Sequence, residues 1–287
     1  MLATCLTGPS FFLRQFLIFL SCLSASEPRV IHRCPKSDEV RGLAALDGRM
    51  YVLRQRDRNQ IEAYSTEDFT LEERFTVPRL QNTIFTDLAA CESQRCLYMA
   101  DCGRSCVHRF GLSHPKLAKW GVMYIPWGVA VTPAANVLVT CRDEAEKAKL
   151  VVLDGQLGHR LRLIALDSAV DGPWHSLQLS SGTFVMGHGD LPINSRLLHL
   201  DSNGGPVRSN SGDGGLQEPR HVAADPEGFV FVADSFKKRI VLFDPSLKFV
   251  RDAVSGMRSR PEYLCFDEAR RRLYVSQSGG IVIVVQL

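Results

Sequence analysis

Residues Pro219 to Val254 read PRHVAADPEGFVFVADSFKKRIVLFDPSLKFVRDAV. Four strand-length stretches lie within it: HVAAD, FVFVAD, RIVLF and KFVRDAV. They are short and rich in Val, Ile, Leu and Phe, the composition of strands rather than helices. Turn formers separate them, Asp225-Pro226-Glu227-Gly228 after the first and Asp244-Pro245-Ser246 after the third. Proline presets φ for the turn and glycine accepts positive φ at no steric cost. Related units recur on both sides. Aligned on one apolar position of the innermost strand, the copies fall at Leu43, Leu88, Val129, Ser176, Val222 and Leu264, with gaps of 45, 41, 47, 46 and 42 residues. A four-stranded unit at such a period is the signature of a propeller blade.

The chain therefore reads as an all-β, six-bladed β-propeller of four-stranded antiparallel blades. Blade one runs VRGLAAL, RMYVLRQ, QIEAYST, LEERFTV; blade two runs TDLAAC, CLYMAD, CVHRFGL, LAKWGVM. Blade three runs WGVAVT, NVLVTC, KLVVLD, RLRLIAL, and blade four WHSLQL, TFVMGHG, RLLHLDS with a weak PVRS. Blade six has only YLCFDE, RLYVSQS and IVIVVQL before Leu287. An unpaired sheet edge exposes backbone donors and acceptors, and ring closure removes it. The stretch Arg29–Cys34 (RVIHRC) is accordingly expected to supply the missing outer strand and lock the ring. Asp143–Lys149 and the Gly/Ser-rich Ser202–Gly215 are expected to be loops.

Residues 1–26 differ from the rest. The apolar run Phe16–Leu23 follows Arg14 and precedes Ser24-Ala25-Ser26, the order of a secretory signal peptide. The run is too short to span a bilayer, so no membrane insertion is expected. The organisation expected is a leader over 1–26 and a propeller over 27–287, secreted, with a cytoplasmic location as the alternative. Four cysteines crowd blade two in CESQRCLYMADCGRSC. Cys91 and Cys96 flank one hairpin turn and Cys102 and Cys106 the next, making both pairs disulfide candidates in an oxidising compartment. A single four-thiolate zinc site is excluded, because the two pairs sit at opposite ends of a strand roughly 17–20 Å long. A formal net charge of +3 with 23% charged residues does not by itself call for a nucleic-acid partner.

Blade five resembles the NHL repeat: Pro219 ahead of the inner strand Val222–Asp225, then Phe231–Asp234, then Arg239-Ile240. Blade two keeps Leu97–Asp101, and blades three and six keep Pro126 and Pro261; elsewhere the second-strand Asp becomes Arg54, Cys141, Gly187 and Gln277. The resemblance implies a six-bladed shape of the kind found in tripartite-motif proteins, growth and signalling adaptors, and extracellular proteins. The same shape also carries lactonases and the peptide-amidating lyase, so fold alone does not assign an activity.

Counting along from the prolines places Gly42, Asp87, Gly128, His175, His221 and Tyr263 in a ring around the channel, with Trp127, Trp174 and Arg220 beside them. These residues form the expected binding rim. Two imidazoles near one axis are also able to hold a metal that activates water, with His188 as a third ligand. The amidating lyase resembles this arrangement but spaces its histidines farther apart around the ring. Basic residues in the loops after the second strands, Arg54, Arg56, Arg58, Arg104, Lys237 and Lys238, suggest a second alternative, single-stranded RNA. Neighbouring acidic residues offset much of that charge. The leading expectation is a monomeric, non-enzymatic scaffold without a cofactor that presents the face around the channel to a protein partner.

Overall fold

The computed structural model describes residues 29–33, 39–55, 59–76, 83–114, 116–210 and 215–287. The expected leader over 1–26, Cys34, Arg56 and Arg58 lie outside the described residues.

Near-continuous apolar runs become the second strands, four of which are buried from end to end because both faces of each sheet are covered. Blade one comprises Glu39–Leu46, Arg49–Gln55, Gln60–Ser65 and Leu71–Thr76. Blade two comprises Phe85–Cys91, Cys96–Asp101, Cys106–Gly111 and Leu117–Gly121. Blade three comprises Ile125–Val131, Val137–Arg142, Ala148–Leu153 and Arg160–Ala165. Blade four comprises Pro173–Gln178, Phe184–His188, Arg196–Leu200 and Pro206–Asn210. The last of these is the weak fourth strand, inside the Gly/Ser-rich stretch otherwise expected to be a loop. Blade five comprises Pro219–Ala224, Val230–Asp234, Arg239–Phe243 and Phe249–Val254. Blade six takes Pro261–Asp267, Arg272–Gln277 and Ile281–Gln286, and its outer strand is Arg29–Arg33, antiparallel to Ile281–Gln286. The ring is closed as the sequence predicts. Inner strands pack each on the next, and that of blade six on that of blade one.

Each apolar cluster straddles two blades. One joins Phe231 and Leu242 of blade five to Leu273 and Val285 of blade six, and another joins Val52 and Tyr64 of blade one to Tyr274 and Val284 of blade six. The remaining four fill the other blade–blade interfaces. No blade buries its faces alone, which is the physical logic of a repeat fold. Turn chemistry agrees with the reading of blade five: Gly228 takes φ +87°, and the Asp225 carboxylate accepts a hydrogen bond from the Phe229 amide at 2.8 Å.

Arg54 does not belong to a basic surface. It is 2% exposed, lies one residue before the end of the second strand of blade one, and its Nε lies 2.8 Å from the Glu62 carboxylate. Its Nη1 donates to the Gly280 carbonyl at 2.6 Å, tying blade one to blade six. Tyr64 and Arg74 complete the bonds to Glu62. Removing one partner of a buried pair strands the other charge and costs about 3–5 kcal/mol. Arg54→Met is therefore expected to lower the thermal midpoint by roughly 5–10 °C, whereas Lys238→Met, on an exposed side chain, leaves it nearly unchanged. Equal midpoints for the two variants would remove this tie from the account of closure.

Candidate functional site at the channel mouth

Every inner strand is interrupted at the same place. Register shifts fall between Val40 and Gly42, Phe85 and Asp87, Pro126 and Gly128, Pro173 and Ser176, Pro219 and Val222, and Pro261 and Leu264. A β-bulge adds a residue and re-aims side chains. Here six bulges point two layers of residues at the axis. The upper layer is Arg41, Thr86, Trp127, Trp174, Arg220 and Glu262, and the lower is Gly42, Asp87, Gly128, His175, His221 and Tyr263. All of these except the two glycines line a cavity of about 210 Å³.

Asp87 is the hub of the lower layer. Its Oδ1 accepts from the Leu88 amide at 2.8 Å and its Oδ2 from the Val129 amide of blade three at 2.9 Å. His175 Nε2 of blade four approaches Oδ2 at 3.5 Å, and His221 Nε2 of blade five approaches Oδ1 at 3.4 Å. The Tyr263 hydroxyl of blade six donates to the Thr86 carbonyl at 3.0 Å. The two glycines make room for the closed ring: a Cβ on Gly42 would lie 2.4 Å from Leu88 Cβ, and one on Gly128 would lie 2.8 Å from the Trp174 carbonyl oxygen.

The two imidazoles stack with centroids 3.7 Å apart and planes 15° apart. Burial first, and for His175 the neighbouring His221 next, pushes both down to about 3. Burial raises Asp87 to about 6 against the opposing pull of His175. At neutral pH the site thus holds two neutral rings beside one carboxylate. Their donor atoms lie within 4.8 Å of one another, so composition alone would suit a metal held by two histidines and a carboxylate. The stacking works against it. Imidazole lone pairs lie in the ring planes, and near-parallel planes this far apart do not meet at one ion about 2.1 Å from each nitrogen. His188, the expected third ligand, is not in this cluster: its Nδ1 faces the Asp171 carbonyl at 3.3 Å and it lines a separate groove in blade four.

Above them, Trp127 and Trp174 meet edge to face at 5.7 Å. Arg142 lies 4.3 Å from the centroid of Trp127 and Arg220 lies 4.9 Å from that of Trp174. Arg220 also pairs with Glu262 at 3.1 Å and Glu218 at 3.4 Å. Five buried polar atoms of this lining make no hydrogen bond: Arg41 Nε, Trp174 Nε1, Arg220 Nε, His175 Nδ1 and His221 Nδ1. The expected rim residues Asp87, Trp127, Trp174, His175, Arg220, His221 and Tyr263 all converge here. Sequence reasoning missed Arg41, Thr86 and Glu262, each one residue before a ring position, and Arg142, which reaches in from the end of a second strand. A larger cavity of about 760 Å³ opens at the opposite mouth. It is lined by the turns after the inner strands and offers no comparable convergence of aromatic and charged groups, so the smaller cavity is the better site.

The basic loops do not form a continuous patch among the described residues. Arg54 is buried, Arg104 bonds Asp101 and the Thr83 hydroxyl, and Lys237 donates to the Gly215 carbonyl. The expected disulfides are not formed either: Cys91, Cys96, Cys102 and Cys106 are free thiols. Cys91 and Cys96 are register partners, but Cys106 pairs with Asp101, and Cys102 sits on the 3-10 turn Cys102–Arg104.

No protein-family model matches this chain, and no curated protein matches it. The propeller architecture therefore stands on the structure.

The buried histidines set a pH dependence. Folded, each takes up its proton near pH 3, against 6.5 ordinarily, so unfolding binds protons and stability falls as pH drops below about 6.5. Asp87, raised from 3.8 to about 6, opposes this between those two values. Two groups outweigh one, so the thermal midpoint is expected to fall from pH 7 to pH 5, and His221→Gln is expected to make the fall shallower. An unchanged slope in that variant would contradict the assignment.

Proposed function

We propose that this propeller is a non-enzymatic scaffold that docks a protein partner on the face where its inner strands begin. The observation that carries the reading is the company the cavity keeps. Five of the ten exposed large apolar residues among the described ones, Ile84, Met123, Leu191, Ile193 and Phe236, sit on loops of that face. Leu157 alone lies on loops of the opposite face. Exposed apolar groups gathered around a polar-lined pocket are the mark of an interaction surface. A groove of about 600 Å³ beside Met123 and Arg142 extends it.

The size of the central cavity favours a partner over a free substrate. Small-molecule sites usually occupy about 300–1,000 Å³, and 210 Å³ suits one inserted side chain. Unpartnered Trp174 Nε1 and Arg220 Nε favour a side chain that brings hydrogen-bond acceptors. Half-exposed Trp and Arg at the centre of a face are the residue types that dominate interface energies. Trp174→Ala is expected to weaken the partner about 30-fold, as loss of about 2 kcal/mol at a hot spot does, while Leu157→Ala leaves affinity unchanged. Affinity capture followed by titration of the recovered partner checks this; equal losses for both variants would place the interface elsewhere.

Secretion forms part of the proposal, on the apolar run Phe16–Leu23 and the small residues after it. The intact mass of the product from secreting animal cells tests it. A chain in the medium beginning near Glu27 supports secretion, and a full-length chain kept inside the cell overturns it.

A further inference from the structure

Blade two carries a second cluster, separate from the channel cavity, where the second strand meets the third. In blade five the second-strand carboxylate Asp234 faces its register partner Arg239, and the two form an ion pair at 2.7 Å. Blade two keeps the carboxylate as Asp101, but its register partner is Cys106. His108 follows two residues later on the same face of the strand. The repeat's structural cation is thus replaced by a thiol and an imidazole.

Three donor atoms converge as a result. Asp101 Oδ2 lies 2.8 Å from His108 Nε2, Cys106 Sγ lies 3.4 Å from the same nitrogen, and Cys106 Sγ lies 3.6 Å from Asp101 Oδ2. All three side chains are 2% exposed or less. The other carboxylate oxygen is already used, because Asp101 Oδ1 accepts from the Arg104 amide at 3.0 Å and caps the 3-10 turn. A nucleophile relay would use one imidazole nitrogen for the thiol and the other for the carboxylate. Here both meet Nε2, and Nδ1 is buried without a partner. The arrangement is one of convergence, not relay.

We propose that Asp101, Cys106 and His108 supply three of the four ligands of one bound zinc ion, a water taking the fourth place. A tetrahedral zinc, with Zn–S about 2.3 Å and Zn–N or Zn–O about 2.0–2.1 Å, holds its ligand atoms about 3.3–3.6 Å apart. The two sulfur distances already match, and the nitrogen–oxygen distance opens by about 0.5 Å when the ion replaces the shared hydrogen bond. Donors of this kind, one soft and two borderline or hard, select zinc over magnesium or calcium. Binding displaces the Cys106 thiol proton to solvent, and the imidazole proton moves to Nδ1 so that Nε2 offers its lone pair. Asp101 binds as the carboxylate, and the Arg104 guanidinium, 3.5 Å from Oδ2, gives way to the metal. The ion would pin the second strand of blade two to the third, as Arg239 does in blade five. Burial of the three ligands means that loading accompanies folding.

The full chain, expressed with zinc in the medium, is expected to show one zinc per chain in its native mass. Refolded with cobalt as the probe, it should display a thiolate-to-cobalt charge-transfer band. Cys106→Ala and His108→Gln are expected to lose both signals, whereas Cys91→Ala and His221→Gln keep them. Absence of metal and band in the wild-type chain, or their survival in Cys106→Ala, would overturn the site. If a ligand variant fails to fold, the wild-type chain still decides: one proton released per metal bound supports thiol ligation, and none refutes it.

Discussion

A blade of this protein has no core of its own. Each sheet is apolar on both faces, and every large apolar cluster is shared between neighbours, so the hydrophobic stabilisation exists only where one blade meets the next. Such an arrangement has to close. Left open, two blades would each show an uncovered apolar face to water. The strand Arg29–Arg33 closes it by pairing with Ile281–Gln286, which joins residues some 250 positions apart and leaves blade six with four strands like the others. Buried Arg54 adds a polar tie across the same seam through Gly280 and Glu62.

Closure also makes the channel residues meet. The six inner strands approach one axis, and a bulge in each turns its first residues toward it. Space near that axis is scarce, which is why Gly42 and Gly128 occupy two of the six lower positions and why Asp87 is able to reach blades three, four and five at once. The same crowding strips water from Asp87, His175 and His221 and drives their proton affinities toward the neutral forms. Stability and recognition are thus divided by height: the lower layer closes the ring, while Trp127, Trp174 and Arg220 above it face outward.

Much of the rim was legible because the repeats align it. Once Leu88, Val129 and Val222 are superposed, the residues just before them must share one level of the channel. Two kinds of residue escaped that logic. Glu262 and Arg41 belong to the layer above, where Trp127, Trp174 and Arg220 were expected, and the bulges reveal that every member of that layer faces the axis. Arg142 arrives from another strand and announces itself only by stacking on Trp127. The converse failures have equally local causes. Arg54 reads as a loop cation but finds Glu62 inside the sheet, and His188 reads as a neighbour of His175 but turns to Asp171 within its own blade.

The amino-acid sequence by itself determined six blades, their four-stranded make-up, the closing strand and the ring positions. All of these follow from apolar runs and turn residues, whose meaning is local and repeats with a fixed period. The tertiary structure alone decided which polar groups face one another. Asp87 and His221 are 134 residues apart and meet only because six twisted sheets share an axis. Asp101, Cys106 and His108 are close in sequence, yet whether they diverge or converge depends on strand register. Periodicity places a side chain on a face; register, bulges and closure decide what it touches there.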